Sequence, residues 1–332
     1  MRRMGGLVPP SILEGLQLQR ISSDLTIPVE SLPKQYINGA IRIGGAARCT
    51  IQYKTIQNRG GYGSIYLANR KDCSGTQEIC VKIPHEKGFS LCPEAIIQCI
   101  VFHSLEGAKV RGAVPRVFDI FQYAGETRFS MSFIQGQRPI DYIIASTTPE
   151  TTLLQYVAQV ALLLGFLEHT VHFDHRDLKA DNTWIRHEPI DYRIAIGQTT
   201  WHVAAPFQVV LLDFGFSCLG NADGYATVSL SDGILPRVDP CPKEGRDLFQ
   251  LISSLWSVPQ IRALIGRQLS TDIELLLSYK NRPYSGLITK TLELQWVYLL
   301  VSDFAFKHPP LHPIALLEML RIKYPQLCIH SE

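Results

Sequence analysis

The sequence predicts an α+β protein in two parts, a strand-rich first part and a mainly helical second part, and three observations predict it. Between 51 and 134, alternating apolar residues fall into five short runs separated by Gly and Asp turns, the period-two pattern of half-buried strands. Among those runs, Pro93-Glu94-Ala95-Ile96-Ile97 opens a helix whose Ile97, Ile100, Val101 and Leu105 form one apolar stripe. From 151 to 169, and again over 271–279, 288–306 and 313–324, apolar residues recur at helical spacing with Pro and Asn breaks. The resulting division is an N-terminal extension over 1–47, a first lobe over 48–134 and a second lobe over 135–332.

Composition narrows the function classes. A chain of 332 residues, 46% of them apolar, can bury a sizeable core. A net charge of +2 offers no basic field, so no nucleic-acid partner is expected. The eight cysteines, Cys49, Cys73, Cys80, Cys92, Cys99, Cys218, Cys241 and Cys328, show no metal-binding spacing, and they read as free or buried thiols of a reducing compartment ahead of disulfides. No long apolar segment follows Arg2-Arg3, which argues against a signal peptide. The run from Leu153 to Leu167 is interrupted by Gln155, Gln159 and Gly165, and fits a buried helix better than a membrane span. A soluble intracellular protein is expected.

Along the chain, the extension carries Pro9-Pro10, Pro28 and Pro33 and has no sustained period. Ile51, Tyr53 and Thr55 then alternate toward one face, Gly60-Gly61-Tyr62-Gly63 makes a turn, and Ser64 resumes the strand. Such a turn can lay backbone N–H groups over phosphate oxygens, because glycine lets the backbone approach closely. Glu78-Ile79-Cys80-Val81-Lys82-Ile83 is a strand that carries a lysine. Downstream come His175-Arg176-Asp177-Leu178-Lys179-Ala180-Asp181-Asn182 and Asp213-Phe214-Gly215. Phosphoryl transfer needs a carboxylate to orient the attacking hydroxyl and oxygen ligands to hold magnesium against phosphates. Asp177 supplies the first, Asn182 and Asp213 the second, and Lys179 a point charge beside the transferring group. Taken singly, Asp and Asn more often cap helices, a Gly turn is usually only a hairpin, and His169, His172 and His175 raise zinc as a minor reading.

His-Arg-Asp-Leu-x-x-x-Asn followed by Asp-Phe-Gly is the signature pair of protein kinases, and this sequence resembles the eukaryotic-type protein kinases at both places. The resemblance implies a two-lobed fold, a five-stranded antiparallel N-lobe with helix αC and a mainly helical C-lobe, with ATP in the cleft. In the glycine loop, Gly60 and Gly63 match the second and third glycines, Asn58 stands where the first is expected, Gly61 lies within the loop and Tyr62 at its tip, and Ile65 would cover adenine. Lys82 matches the phosphate-binding lysine, and Cys80 falls where alanine usually roofs the adenine ring. Glu94 matches the αC carboxylate that pairs with Lys82, although Gln98 replaces the apolar residue expected four positions on. Met131 would guard the back of the pocket, Ser132, Phe133 and Ile134 would form the hinge, and Leu212 would join the nucleotide-binding set.

The same resemblance makes Arg176 a partner for a phosphorylated hydroxyl among Tyr225, Thr227, Ser229 and Ser231, and makes Asp247 the anchor of the catalytic-loop backbone. Residues 186–207 form an elongated hairpin insert suited to docking or stabilisation, and the usual Ala-Pro-Glu is missing. Gly60-Gly61-Tyr62-Gly63-Ser64-Ile65-Tyr66, the long hairpin and the closing Leu311-His312-Pro313-Ile314-Ala315-Leu316-Leu317-Glu318 resemble the divergent serine/threonine kinases of poxviruses and other large DNA viruses. That branch implies a setting in host cytoplasm or a virion. The cofactors implied are ATP and Mg2+, with Mn2+ as a substitute, and Lys179 points to a protein substrate with a Ser or Thr acceptor. The competing expectations are a pseudokinase scaffold and a small-molecule or lipid kinase.

Overall fold

The computed structural model describes residues 31–43, 46–60, 63–86, 90–231, 239–291 and 294–332. Gly61, Tyr62 and, from the expected extension, 1–30 and 44–45 lie outside them. The chain divides into two compact units, 1–103 with 114–134 and 104–113 with 135–332.

The first unit departs from the expected five-stranded antiparallel lobe. Seven strands close a barrel: β1 (Lys34–Gln35), β2 (Ala40–Ile43), β3 (Ala46–Arg59), β4 (Gly63–Asp72), β5 (Gly75–Pro84), β6 (Val117–Tyr123) and β7 (Glu126–Ser132), in the order β1-β2-β3-β4-β5-β7-β6. Every pairing is antiparallel except the one that closes the ring, where Lys34 of β1 lies parallel to Gln122 of β6. Residues 34–43, assigned to an extension by sequence, therefore supply two staves, and closure removes the free edges an open sheet would leave. The barrel core is Ile41, Cys49, Ile51, Ala68, Ile79, Val81 and Phe121, each at most 4% exposed. Alternation along each strand explains it: Ile79 and Val81 point inward while Cys80 and Lys82 point outward. Asp119, 0% exposed, is satisfied by Arg70 Nε at 2.7 Å, Ser130 Oγ at 2.8 Å and Arg48 Nε at 3.0 Å, the condition for burying a carboxylate.

Helix α1 (Cys92–Gly107) follows, with Pro93 in its first turn and buried Ile96, Ile97, Ile100, Val101 and Leu105. Its last turn, from 104, groups with the second unit.

The second unit is built around α3 (Pro149–Val171), which follows α2 (Pro139–Ala145). By length and composition α3 could cross a membrane, yet 83% of its most apolar window is buried within the fold, as in a core helix of a soluble protein. It ends where His172 adopts a left-handed φ of 51°, turning the chain into β8 (Phe173–Asp174). Then come β9 (Thr183–Arg186), β10 (Ile190–Ile196), β11 (Thr199–Ala205), β12 (Gln208–Leu211), β13 (Cys218–Gly220) and β14 (Ala226–Ser229). Strand β9 pairs with β12, and the 186–207 insert is the β10–β11 hairpin. Helices α4 (Arg246–Trp256), α5 (Pro259–Leu264) and α6 (Arg267–Leu276) lead to the small pair β15 (Ser278–Tyr279) and β16 (Arg282–Pro283). Helices α7 (Ser285–Thr291), α8 (Gln295–Ser302) and α9 (Pro313–Lys323) precede β17 (His330–Ser331), which adds to β11.

The cysteine reading needs one correction. Cys218 and Cys241 are joined in a disulfide, whereas Cys49, Cys73, Cys80, Cys92, Cys99 and Cys328 are free. Both partners have no exposed surface, and their spacing alone does not announce the pair.

Candidate active site

In the second unit, the ladder between β9 and β12 sets the geometry. Thr183 lies opposite Leu211, and beyond them the Leu212 N–H donates to the Asn182 carbonyl at 2.9 Å. The loop ending at Asn182 and the segment beginning at Asp213 thus leave the same end of a two-stranded ladder. The His175 ring ties them again through Nε2 to the Leu212 carbonyl at 2.9 Å. Burial lowers the His175 pKa, opposed by the carbonyl of Leu212 and by the charges of Asp177 and Asp213, so both carboxylates act on one buried ring. Phe214 packs beside it, tilted by 37° with ring centres 5.6 Å apart, and is fully buried, while Asp213 itself is exposed with a left-handed φ of 58°. That backbone region is uncommon outside glycine, and it turns the carboxylate out while Phe214 packs in.

Asp177 is 8% exposed. Its carboxylate accepts from Lys179 Nζ at 3.2 and 3.1 Å, from Asn182 Nδ2 at 2.8 Å and from the Tyr298 hydroxyl. Asn182 Nδ2 also donates to the Asp177 carbonyl at 2.7 Å. Both of these bonds use the amide nitrogen, which turns the amide oxygen elsewhere as a hard ligand. Asn182 Oδ1 and the exposed Asp213 carboxylate are the donor chemistry magnesium takes alongside phosphate oxygens. Among the described residues, no group of three or more His, Cys, Asp or Glu side chains is arranged to hold a metal.

Asp247, at the start of α4, holds the loop: Oδ2 accepts from the His175 N–H at 2.7 Å and Oδ1 from the Arg176 N–H at 2.8 Å. Gly245 before it has φ +80°, and a Cβ there would meet the His308 carbonyl at 2.4 Å, so glycine is required at this helix start. Burial, and then the charge of Asp174, raise the Asp247 pKa well above the usual carboxylate range. Asp174 responds the other way: burial pushes it up, but Arg246 and Arg176 outweigh that and lower it.

Arg176 reaches a carboxylate and two of the hydroxyls named for it. Its Nη2 lies 3.4 Å from Asp239, and its Nη1 donates to the Ser229 and Ser231 hydroxyls at 2.6 and 2.8 Å. Asp239, fully buried, also pairs with Lys243 and Arg246. Of the other hydroxyls named, Thr227 donates to the Leu219 carbonyl at 2.8 Å and Tyr225 is exposed.

In the first unit, Ile65, Lys82 and Phe129 are direct neighbours across β4, β5 and β7, so they share one face, and Cys80 and Met131, two residues along, share it too. This face is opposite the barrel core. Lys82 Nζ donates to Glu94 Oε1 at 2.5 Å, with side chains 9% and 6% exposed. Glu94 sits in the first turn of α1, where the helix dipole favours a carboxylate. The Gln98 departure has a local reason, since its amide donates to the Pro115 carbonyl at 2.7 Å and contacts Met131 Sδ at 3.6 Å. Burial, and then Glu78, push the Cys80 thiol up to about 11.

The loop and hinge assignments fare unevenly. The Gly60 N–H closes the turn on the Gly63 carbonyl at 2.9 Å, Asn58 lies opposite Ile65, and Gly61 and Tyr62 fall outside the described residues. A Cβ on Gly63 would meet the Ile83 carbonyl at 2.7 Å, so that position requires glycine for close strand approach. The Ser132 N–H is already donated to the Arg116 carbonyl at 2.8 Å, which removes it as a hinge donor and leaves Phe133 and Ile134. Leu212 uses its backbone on Asn182 and His175 as described.

Sequence reasoning missed Tyr298, Asp239 and Lys243. Tyr298 lies 121 residues beyond Asp177 in a stretch marked only by apolar periodicity, so no local signal pointed to it. No model of a known protein family matches the chain, and no curated protein matches it.

Proposed function

We propose that this protein transfers the γ-phosphoryl group of Mg-ATP to Ser or Thr hydroxyls of a protein substrate. The observation that supports this reading best is the buried Asp177 carboxylate, held by Lys179 and Asn182, with Asp213 leaving the same ladder end as Asn182. Asp177 accepts the proton of the attacking hydroxyl at a carboxylate oxygen as the new P–O bond forms and ADP departs. Lys179, bonded to the same carboxylate, balances its charge and meets the charge that develops on the transferring group. Within the first unit, Glu94 fixes Lys82 as an ammonium of the kind that binds phosphate. Asn182 Oδ1 and Asp213 would hold magnesium, which when bound neutralises phosphate charge. The apolar face of Ile65, Cys80 and Met131 suits a purine ring, and Lys179 favours a Ser or Thr acceptor.

The test is incubation of the purified protein with Mg-ATP, alone and with a mixture of acceptor proteins, alongside Asp177→Asn. Protein-bound phosphoserine or phosphothreonine, reduced at least about 10²-fold by the substitution, supports the reading. Nucleotide binding without turnover would replace it with a scaffold, and turnover only with metabolites or lipids with a small-molecule kinase.

A further inference from the structure

The contact between Tyr298 and Asp177 has no part in the chemistry above. Asp177 accepts from Lys179 on both oxygens, from Asn182 on Oδ2 and from the Tyr298 hydroxyl on Oδ1. A carboxylate offers about four lone-pair sites, and these four bonds fill them. An acceptor hydroxyl must donate its proton to one of the same oxygens before it can attack. Lys179 is a compensating charge, and Asn182 is fixed a second time by the Asp177 carbonyl at 2.7 Å. Tyr298 alone is a neutral hydroxyl donor, the same chemical group as the substrate it would meet.

The rest of α8 shows how that hydroxyl is held. Trp296, two residues before, stacks on Tyr284 with ring centres 5.5 Å apart and planes within 15°, and Val297 and Val301 are buried. Leu299, next to Tyr298, is 75% exposed, so the helix is anchored on one side only. Burial, and then the charge of Asp177, raise the Tyr298 pKa, which keeps the phenol protonated and donating at neutral pH.

We propose that Tyr298 occupies the acceptor position of Asp177 and is a specificity-determining residue: only a protein segment that displaces it gains the base, and water does not. This rests on the reading of Asp177 as the general base. The reaction held in check is hydrolysis, in which a water oxygen bonds to the γ-phosphorus, the bond to the ADP oxygen breaks, and Asp177 takes the water proton. The ring stays while the hydroxyl goes in Tyr298→Phe, so that variant frees one site on Oδ1 without emptying the space around it.

The experiment measures ATP hydrolysis without acceptor, and the kinetics of phosphoryl transfer to a generic acceptor protein, for the wild type, Tyr298→Phe, Tyr298→Leu and Asp177→Asn. Thermal melting establishes that each variant is folded. Tyr298→Phe is expected to raise acceptor-free hydrolysis and to lower the acceptor KM, each on the order of tenfold as a hydrogen bond to a charged group is worth, with the ATP KM unchanged. Tyr298→Leu should move both in the same direction. If the wild type transfers phosphate in an Asp177-dependent way but both Tyr298 variants keep hydrolysis and acceptor KM within about twofold of it, or lose kcat instead, the proposal fails alone. If neither wild type nor Tyr298 variants turn over ATP in an Asp177-dependent way, the phosphotransfer reading fails and the proposal with it.

Discussion

Replacing Asp247 with Asn tests how the loop from His175 to Asn182 is held. Asp247 is 4% exposed and receives two backbone N–H groups, at 2.7 and 2.8 Å, one on each oxygen. Asparagine keeps one acceptor and can donate its amide to Asp174, but it presents a second N–H donor where an acceptor stood. One buried backbone N–H is then left without its partner, which costs roughly 1–3 kcal/mol. Relief of the repulsion between Asp247 and Asp174 offsets part of that, because the Asp247 carboxyl is already pushed toward its neutral form. At ~2 kcal/mol, a chain of 332 residues loses about 3 °C in melting temperature. The assay is calorimetric melting of the full chain together with ATP turnover, and the turnover should fall as well, since the displaced amides flank Asp177. A variant that melts within about 1 °C of the wild type with unchanged turnover would refute the reasoning.

Asp239 tests the other half of the same network. It is fully buried with Arg176, Arg246 and Lys243 around it, so Asp239→Asn leaves three cations short of a partner and should cost roughly 3–5 kcal/mol in denaturant unfolding. A loss under about 1 kcal/mol would show the carboxylate to be dispensable. The pH dependence carries a sign. Burial lowers the pKa values of His175 and His308, so below about pH 6.5 the unfolded chain binds protons that the folded chain refuses. Each histidine therefore withdraws stability as pH falls from about 6.5 through its lowered value, by at most about 1.4 kcal/mol per pH unit. Asp247, whose value is raised, has the opposite sign, so the effect is read as a difference. His308→Gln should lose less stability than the wild type between pH 7.5 and 5.5, and parallel profiles would contradict this.

The site was more legible in the sequence than the fold around it. Asp177, Lys179 and Asn182 lie within one short loop, where chain spacing alone constrains which side chains can meet. Lys82 and Glu94 are 12 residues apart on adjoining elements and meet as expected. Barrel closure was not legible, because β1 has only two residues and β2 four, too few to display a period. Their places depend on partners elsewhere in the chain, such as Gln122 for Lys34. The five-stranded antiparallel lobe failed for that reason. Asp239 was not legible for another: it is an ordinary acid in sequence, and only the fold gathers three cations on it. The disulfide and Tyr298 share this long-range origin.

The most direct measurement is calorimetric titration of ATP into the wild type and into Asp213→Asn, each with and without Mg2+. Asp213 is exposed, so its substitution should spare the fold. The account predicts ATP binding that magnesium strengthens in the wild type, and loss of that strengthening in the variant while both melt alike. Equal response of the two proteins to magnesium, or no ATP binding by the wild type, would contradict it.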